Sequence, residues 1–168
     1  MSAFVGYALV NNNIYYDTLG IIRQTPELVN VLSAYLQKNF KFWKIHLDNQ
    51  VLFQMSSNQE SLPLPMLALH LRYYFQFDVV KNVMKVQIGA DGTFTTAYYA
   101  PAYNPATGQF QNQTLEKVGN CPYIDVFANF QWKTATIFLK FTNANQGWPN
   151  SDYFSAYHYI KPKRAFKV

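Results

Sequence analysis

The sequence predicts an all-β protein, an antiparallel up-and-down transmembrane β-barrel present as an incomplete portion of about seven strands plus a partial eighth. Three observations carry that expectation. Apolar and polar residues alternate with a period of two over segments of about 11 to 13 residues, whereas strands of soluble domains run about 5 to 6 and membrane-crossing strands about 9 to 11. The connections alternate between tight turns and long polar stretches, the layout of an outer-membrane barrel. Aromatic residues make up 18% of the chain, and many stand near the predicted strand ends.

Residues 3–16 and 29–38 read as the weaker strands, and residues 25–36 form the one stretch with ambiguous helical spacing. From Ile45 one face reads Ile45, Leu47, Asn49, Val51, Phe53, Met55 and the other His46, Asp48, Gln50, Leu52, Gln54, Ser56. The next strand sets Leu67, Leu69, Leu71, Tyr73, Phe75, Phe77 and Val79 against Ala68, His70, Arg72, Tyr74, Gln76 and Asp78. Met84, Val86, Ile88, Ala90, Gly92 and Phe94 then oppose Lys85, Gln87, Gly89, Asp91, Thr93 and Thr95. Ile124 to Trp132 and Ala135 to Phe141 repeat the pattern, with Asp125 and Lys140 on the polar side. Tight connections fall at residues 39–43, 80–83 and 133–134, and long polar ones at 11–28, 57–66, 100–122 and 145–163.

The turn at residues 80–83 fixes a register, because pairing Val79 with Met84 forces every other antiparallel pair. Asp78 then faces Lys85, Arg72 faces Asp91, and Tyr74 lies over Gly89, where bare backbone accommodates a ring.

Composition excludes several classes. With 49% hydrophobic residues and 23 charges, 14 basic and 9 acidic, the chain can bury a core and is not a disordered sequence. No apolar run approaches the roughly 18 residues of a membrane helix. A single cysteine, Cys121, makes neither an internal disulfide nor a cysteine-based zinc site. The first ten residues lack the parts of a secretory signal and read as a strand. The net charge of +5 is scattered, with only residues 161–164 forming a basic cluster, so nucleic acid is not an expected partner.

Alternation alone does not say which face is outside. A soluble barrel turns its apolar face inward and a membrane barrel turns it to lipid. Strand length, the asymmetry of turns and loops, and the aromatics Tyr15, Tyr16, Phe42, Trp43, Phe77, Tyr98, Tyr99, Trp132, Tyr153 and Phe154 favour the membrane arrangement with its interfacial girdles.

The loops carry a resemblance. Leu62-Pro63-Leu64-Pro65, the run Tyr98-Tyr99-Ala100-Pro101-Ala102-Tyr103-Asn104-Pro105-Ala106-Thr107-Gly108-Gln109-Phe110, Gly119-Asn120-Cys121-Pro122-Tyr123-Ile124, Asn145-Gln146-Gly147 and Tyr153-Phe154-Ser155 resemble the C-terminal region of the putative porin family of Bacteroidota outer membranes. The Tyr-Tyr-Ala-Pro-Ala-Tyr run is the most specific part. The resemblance implies that residues 1–168 are a single segment of a longer barrel whose members carry a signal peptide and end on an aromatic residue, whereas this chain stops at Phe166-Lys167-Val168. It implies an outer-membrane porin that passes small hydrophilic solutes by diffusion. Its partners would be outer-membrane lipid and lipopolysaccharide, the barrel-assembly machinery and the upstream strands of the same barrel, with no cofactor.

The expected pore lining is His46, Asp48, Gln50, His70, Arg72, Gln76, Asp78, Lys85, Gln87, Asp91, Asp125 and Lys140. His46 and His70 on adjacent strands suggest a metal pair, but a zinc site needs further ligands and lumen histidines account for them. Asp48, Asp78, Asp91 and Asp125 supply carboxylates for acid–base chemistry, yet pairing with Arg72 and Lys85 makes them ordinary ionised groups. No nucleophile elbow, phosphate-binding glycine loop or His-Glu-x-x-His occurs, so no enzyme is expected. Residues 161–164 could contact lipopolysaccharide phosphates or be a solvated loop, and Asn112-Gln113-Thr114 matches a glycosylation sequon by chance. Two rival readings are a soluble ligand-binding barrel of the lipocalin type and the last strands of a TonB-dependent transporter.

Overall fold

The computed structural model describes residues 1–81, 83–149 and 154–168. In chain order its strands are β1 (Ser2–Val10), β2 (Ile14–Tyr16), β3 (Ile22–Gln24), β4 (Val29–Phe42), β5 (Ile45–Ser56), β6 (Leu67–Val80), β7 (Met84–Thr95), β8 (Ala102–Asn104), β9 (Gln109–Gln111), β10 (Tyr123–Trp132), β11 (Ala135–Thr142), β12 (Phe154–Ala156), β13 (Tyr159–Ile160) and β14 (Ala165–Lys167). Eight form one antiparallel sheet in the order β1-β4-β5-β6-β7-β10-β11-β14. The remaining six make three two-stranded ribbons, β2 with β3, β8 with β9 and β12 with β13. Each strand of the large sheet pairs with the next one along the chain, so the topology is up-and-down, with seven long strands and a three-residue eighth as the periodicity requires. The sheet is open, with β1 and β14 as its edges, and does not close into a barrel within this chain.

The period-two segments form because one face of each is apolar and the other polar, which a pleated strand separates and a helix cannot. The β6–β7 hairpin has the register the sequence implies, with Arg72 opposite Asp91, Tyr74 opposite Gly89 and Asp78 opposite Lys85. At its end the structure departs from the expected Val79–Met84 pair. Val80 takes that place and Val79 is the extra residue of a bulge, which lets a short turn join the strands. Asn82 of that turn lies outside the described residues.

Three other expectations are corrected. Residues 3–16 are two elements: the chain turns at Asn12, whose φ of 55° suits an asparagine, and β2 pairs with β3 instead of extending β1. Residues 39–42 belong to β4, since Asn39 pairs with Asp48 and Phe42 with Ile45, leaving a turn of only Trp43 and Lys44. The polar Asn39 and Lys41 there continue the alternation rather than ending it. Tyr15, Tyr16, Tyr98, Tyr99 and Phe154 lie in the connections rather than at the ends of the large sheet, while Phe42, Trp43, Phe77 and Trp132 do sit at its short-turn rim. Tyr153 lies outside the described residues.

Neighbouring strands are staggered. Ile45, the first residue of β5, meets Phe75, so β6 runs on past the β4–β5 turn to Val80. At the other side Ser2 meets Gln37, and β4 runs on to Phe42. Such steps are the shear that tilted strands need to curl toward a barrel.

The compact core sits at the long-loop end. Val29, Ala100, Ala102, Val118 and Cys121 are buried there with Thr25, Ser61, Gln113 and Asn143. The long connections are tied to one another. The Asn112 N–H donates to the Tyr16 carbonyl at 2.8 Å, the Asn13 side-chain amide to Ser61 O at 3.2 Å, and the Asn112 side-chain amide to Glu60 O at 2.6 Å. Ala102 bridges to Tyr157, and the Tyr103 and Tyr159 rings meet edge-on at 6.2 Å. Asn112 and Gln113 are thus structural. The Gln113 amide donates to Ala100 O and Glu116 O, and its carbonyl accepts from the Leu115 and Glu116 N–H groups.

Candidate functional site

The two faces of the large sheet differ in chemistry. Val5, Tyr7, Leu9, Leu36, Ile45, Met55, Tyr73, Phe75, Ile88, Val126, Ile137, Phe141 and Phe166 share one face by register and are all exposed. An apolar surface of that extent is not left to water by a soluble monomer. Its few polar members pair locally: the Tyr73 hydroxyl donates to Asn49 Oδ1 at 2.8 Å and the Tyr7 hydroxyl to Asn30 Oδ1 at 2.8 Å.

The opposite face holds all twelve residues expected to line a pore, arranged in rows that cross the strands. Nearest the short turns, Asp78 faces Lys85, which faces Gln131. One row further in is an amide ladder, in which Gln87 Nε2 donates to Gln76 Oε1 at 2.9 Å and Asn129 Nδ2 to Gln87 Oε1 at 3.2 Å. Next come Lys41, His46, Tyr74, Gly89, Phe127 and Lys140 in successive register. The following row carries Asn39, Asp48, Arg72, Asp91 and Asp125, and the one after it Gln37, Gln50, His70, Thr93 and Tyr123.

The charge centre lies where two rows meet. Asp125 stands directly opposite Asp91, a like-charge pair that would repel. Lys140 resolves it, with Nζ 2.9 Å from Asp125 Oδ2 and 3.5 Å from Asp91 Oδ2. Asp125 is buried, and its Oδ1 also accepts from the Asn143 backbone N–H at 2.8 Å. Arg72 Nε lies 3.6 Å from Asp91 Oδ1, and its guanidinium rests over the Phe127 ring at 4.6 Å. Each pair is partly solvated, so each contributes about 1 kcal/mol or less to stability, and the network mainly fixes where charges stand.

Gly89 makes the aromatic row possible. A Cβ there would strike the Tyr73 carbonyl and the Tyr74 Cβ, so only glycine lets the strands close over this spot. Tyr74 fills the space, stacked on His46 with centroids 4.7 Å apart and tilted against Phe127 at 6.5 Å. The two histidines are not neighbours: His46 faces Tyr74 while His70 faces Gln50, four residues or about 13 Å further along β6. Among the described residues no group of three or more metal-ligating side chains converges.

The sequence pattern pointed to Arg72 with Asp91 but not to the Lys140 bridge, because β10 reaches β7 only through the long connection after Thr95, which leaves the Asp91–Asp125 register open. It also left out Lys41, which the turn assignment hid, and Phe127, whose apolar side chain gave no sign of a place in a charged row. Residues 161–164 are only partly a free cluster. Lys161 Nζ lies over the Tyr123 ring at 5.5 Å, and the Arg164 N–H donates to Gln146 Oε1 at 2.7 Å.

An up-and-down antiparallel sheet with one exposed apolar face, one charged and amide-rich face, tight turns at one end and interlocked long loops at the other defines the class of barrel-wall β proteins. The chain belongs to the family described as "Putative porin", whose model matches residues 1–168. That membership gives it a porin-like role and suggests an outer-membrane location. Neither comparison with curated proteins nor comparison with solved structures returns a match.

Proposed function

We propose that this chain is part of the wall of an outer-membrane pore through which small hydrophilic solutes diffuse passively. The observation that carries the reading is the inversion of the two faces: large apolar side chains are exposed on one, while Arg72, Asp91, Asp125 and Lys140 meet on the other. In this arrangement lipid covers the apolar face, and the mixed-charge rows face a wet lumen. The protein acts by the width and charge of that lumen and not by catalysis. Its open edges, β1 and β14, are completed by further strands of the same barrel, placed by the barrel-assembly machinery. Lipopolysaccharide surrounds the long-loop end.

Planar-bilayer conductance of the barrel that contains this chain tests the reading. Discrete current steps are expected, with ion selectivity that changes when Lys140 is replaced by glutamine, because that removes the cation between two carboxylates. A barrel that inserts but never conducts would remove the transport function. The lipocalin-type alternative predicts a monomer that stays soluble without detergent. The TonB-dependent alternative predicts a plug domain in the same polypeptide.

A further inference from the structure

The chain's charge is unevenly placed. Of its formal +5, most sits at the short-turn rim, where Lys41, Lys44, Lys81, Lys85 and Lys133 stand against Asp78. At the long-loop end Arg23, Lys117, Lys161, Lys163 and Arg164 are nearly balanced by Asp17, Glu27, Glu60 and Glu116. The ion pairs among the described residues engage Arg23, Arg72 and Lys140, and none of the five rim lysines. Those lysines gather cationic charge at one end of a sheet.

The stagger of the strands turns part of this rim into a cleft. Among the described residues the pairing of β5 with β6 stops at Ile45 and Phe75, and beyond it the Gln76 N–H donates to Lys44 O at 2.8 Å, so the end of β6 runs on past the paired part of the sheet. The step borders an open cleft of about 380 Å³, lined by the polar side chains of Lys41, Lys44, Lys81, His46 and Gln76. Asp78, its carboxylate, is opposed by Lys85 across the hairpin. Trp43 and Phe77 border the cleft from the apolar-face side of the sheet edge, with the Trp43 ring exposed and Lys44 Nζ over it at 5.0 Å.

We propose that this cleft binds a phosphate-bearing ligand, with the three lysines taking the phosphate oxygens and Trp43 and Phe77 taking the apolar group attached to it. Lysine is a point-charge binder of phosphate, and basic side chains beside an interfacial tryptophan suit an anionic headgroup at a membrane surface. A phospholipid of the leaflet facing the short turns and a phosphorylated solute leaving the lumen present the same chemistry. The lipid source rests on the membrane reading above, and the solute source does not.

The test compares the barrel that contains this chain with its Lys41→Gln/Lys44→Gln/Lys81→Gln variant. A control variant, Lys161→Gln/Lys163→Gln/Arg164→Gln, removes the same number of charges at the other end. Flotation with pure phosphatidylcholine vesicles first reports membrane insertion, which needs no lysine. Retention of phosphatidylglycerol is then followed by native mass spectrometry from detergent, with inorganic pyrophosphate as competitor. Retention of phosphatidylglycerol over phosphatidylcholine, weakened at least tenfold in the rim variant and unchanged in the control, is the expected result. Phosphatidylglycerol that resists pyrophosphate identifies the lipid source, and pyrophosphate binding lost in the rim variant without lipid preference identifies the solute source. A chain that floats yet binds neither through these lysines overturns the site and leaves the barrel standing. A completed barrel that does not float but binds pyrophosphate through them overturns the membrane reading alone. Equal binding by the rim and control variants overturns the site.

Discussion

Replacing Gly89 by alanine adds one methyl group where the polar face has no room for it. The new Cβ would lie against the Tyr73 carbonyl oxygen and 2.5 Å from Tyr74 Cβ, with Tyr74 Cα at 2.8 Å. All three atoms persist whatever side chain residue 74 carries, so trimming the Tyr74 ring cannot relieve the clash. Gly92, three residues on in the same strand, is the internal control, since its nearest neighbour would be Leu71 O at 3.8 Å, an ordinary contact. Overpacking costs about 1 to 3 kcal/mol, while alanine otherwise gains about 0.5 to 1 kcal/mol over glycine inside a strand. Gly89→Ala is therefore expected to destabilise by about 1 to 2 kcal/mol and Gly92→Ala to be neutral or slightly stabilising. Guanidinium unfolding in detergent micelles, followed by tryptophan fluorescence, measures both. Equal stabilities for the two variants, or recovery of Gly89→Ala by an added Tyr74→Ser, would refute the packing argument and with it the register that sets Tyr74 over Gly89.

Three further outcomes are expected. Lys140→Met leaves Asp91 and Asp125 facing each other uncompensated and should cost about 1 to 2 kcal/mol, discounted for the partial exposure of the lysine; adding Asp91→Asn should recover most of it in a double-mutant cycle, and a purely additive cycle would show the bridge to be idle. In the first long connection, a hydrogen bond from Arg23 together with backbone N–H groups of Ile21 and Leu19 holds the Asp17 carboxyl below its ordinary 3.8. Because the folded value is the lower one, the contribution of Asp17 to the β2–β3 ribbon is present above pH 3.8 and lost as pH falls through the folded value; hydrogen exchange at Leu19 and Ile21 should accelerate there, and in Asp17→Asn at neutral pH. Leu71→Arg puts a charge on the apolar face and should cost about 2 to 4 kcal/mol in lipid vesicles, whereas Gln50→Arg on the polar face should change stability by less than about 0.5 kcal/mol; the reverse ranking would mean that the apolar face points inward.

The strand pattern is most legible in the β6–β7 hairpin. Seven alternating apolar residues from Leu67 to Val79, two opposite-charge pairs and a glycine beneath a tyrosine together leave one register open, and the structure has it. Local chemistry settled this because a hairpin with a short turn has no freedom beyond its register. The same alternation placed all twelve expected lining residues on one face, since a period of two needs no knowledge of neighbours.

What the chain's local pattern could not contain was everything that depends on which strand end meets which. The split of residues 3–16 follows from β3 offering Tyr16 a closer partner than the sheet does. The Lys140 bridge exists because β10 brings Asp125 opposite Asp91, two carboxylates far apart in sequence whose approach becomes tolerable only when a third strand supplies the cation. The rim cleft arises from the stagger of β5 against β6, a property of the whole sheet's shear and of no single strand. Side-chain alternation is local, so the class, the two faces and the best hairpin could be read along the chain. The charge network, the interlocked loops and the lysine-lined step could not, because they are made by contacts between segments that have no reason to meet until the sheet forms.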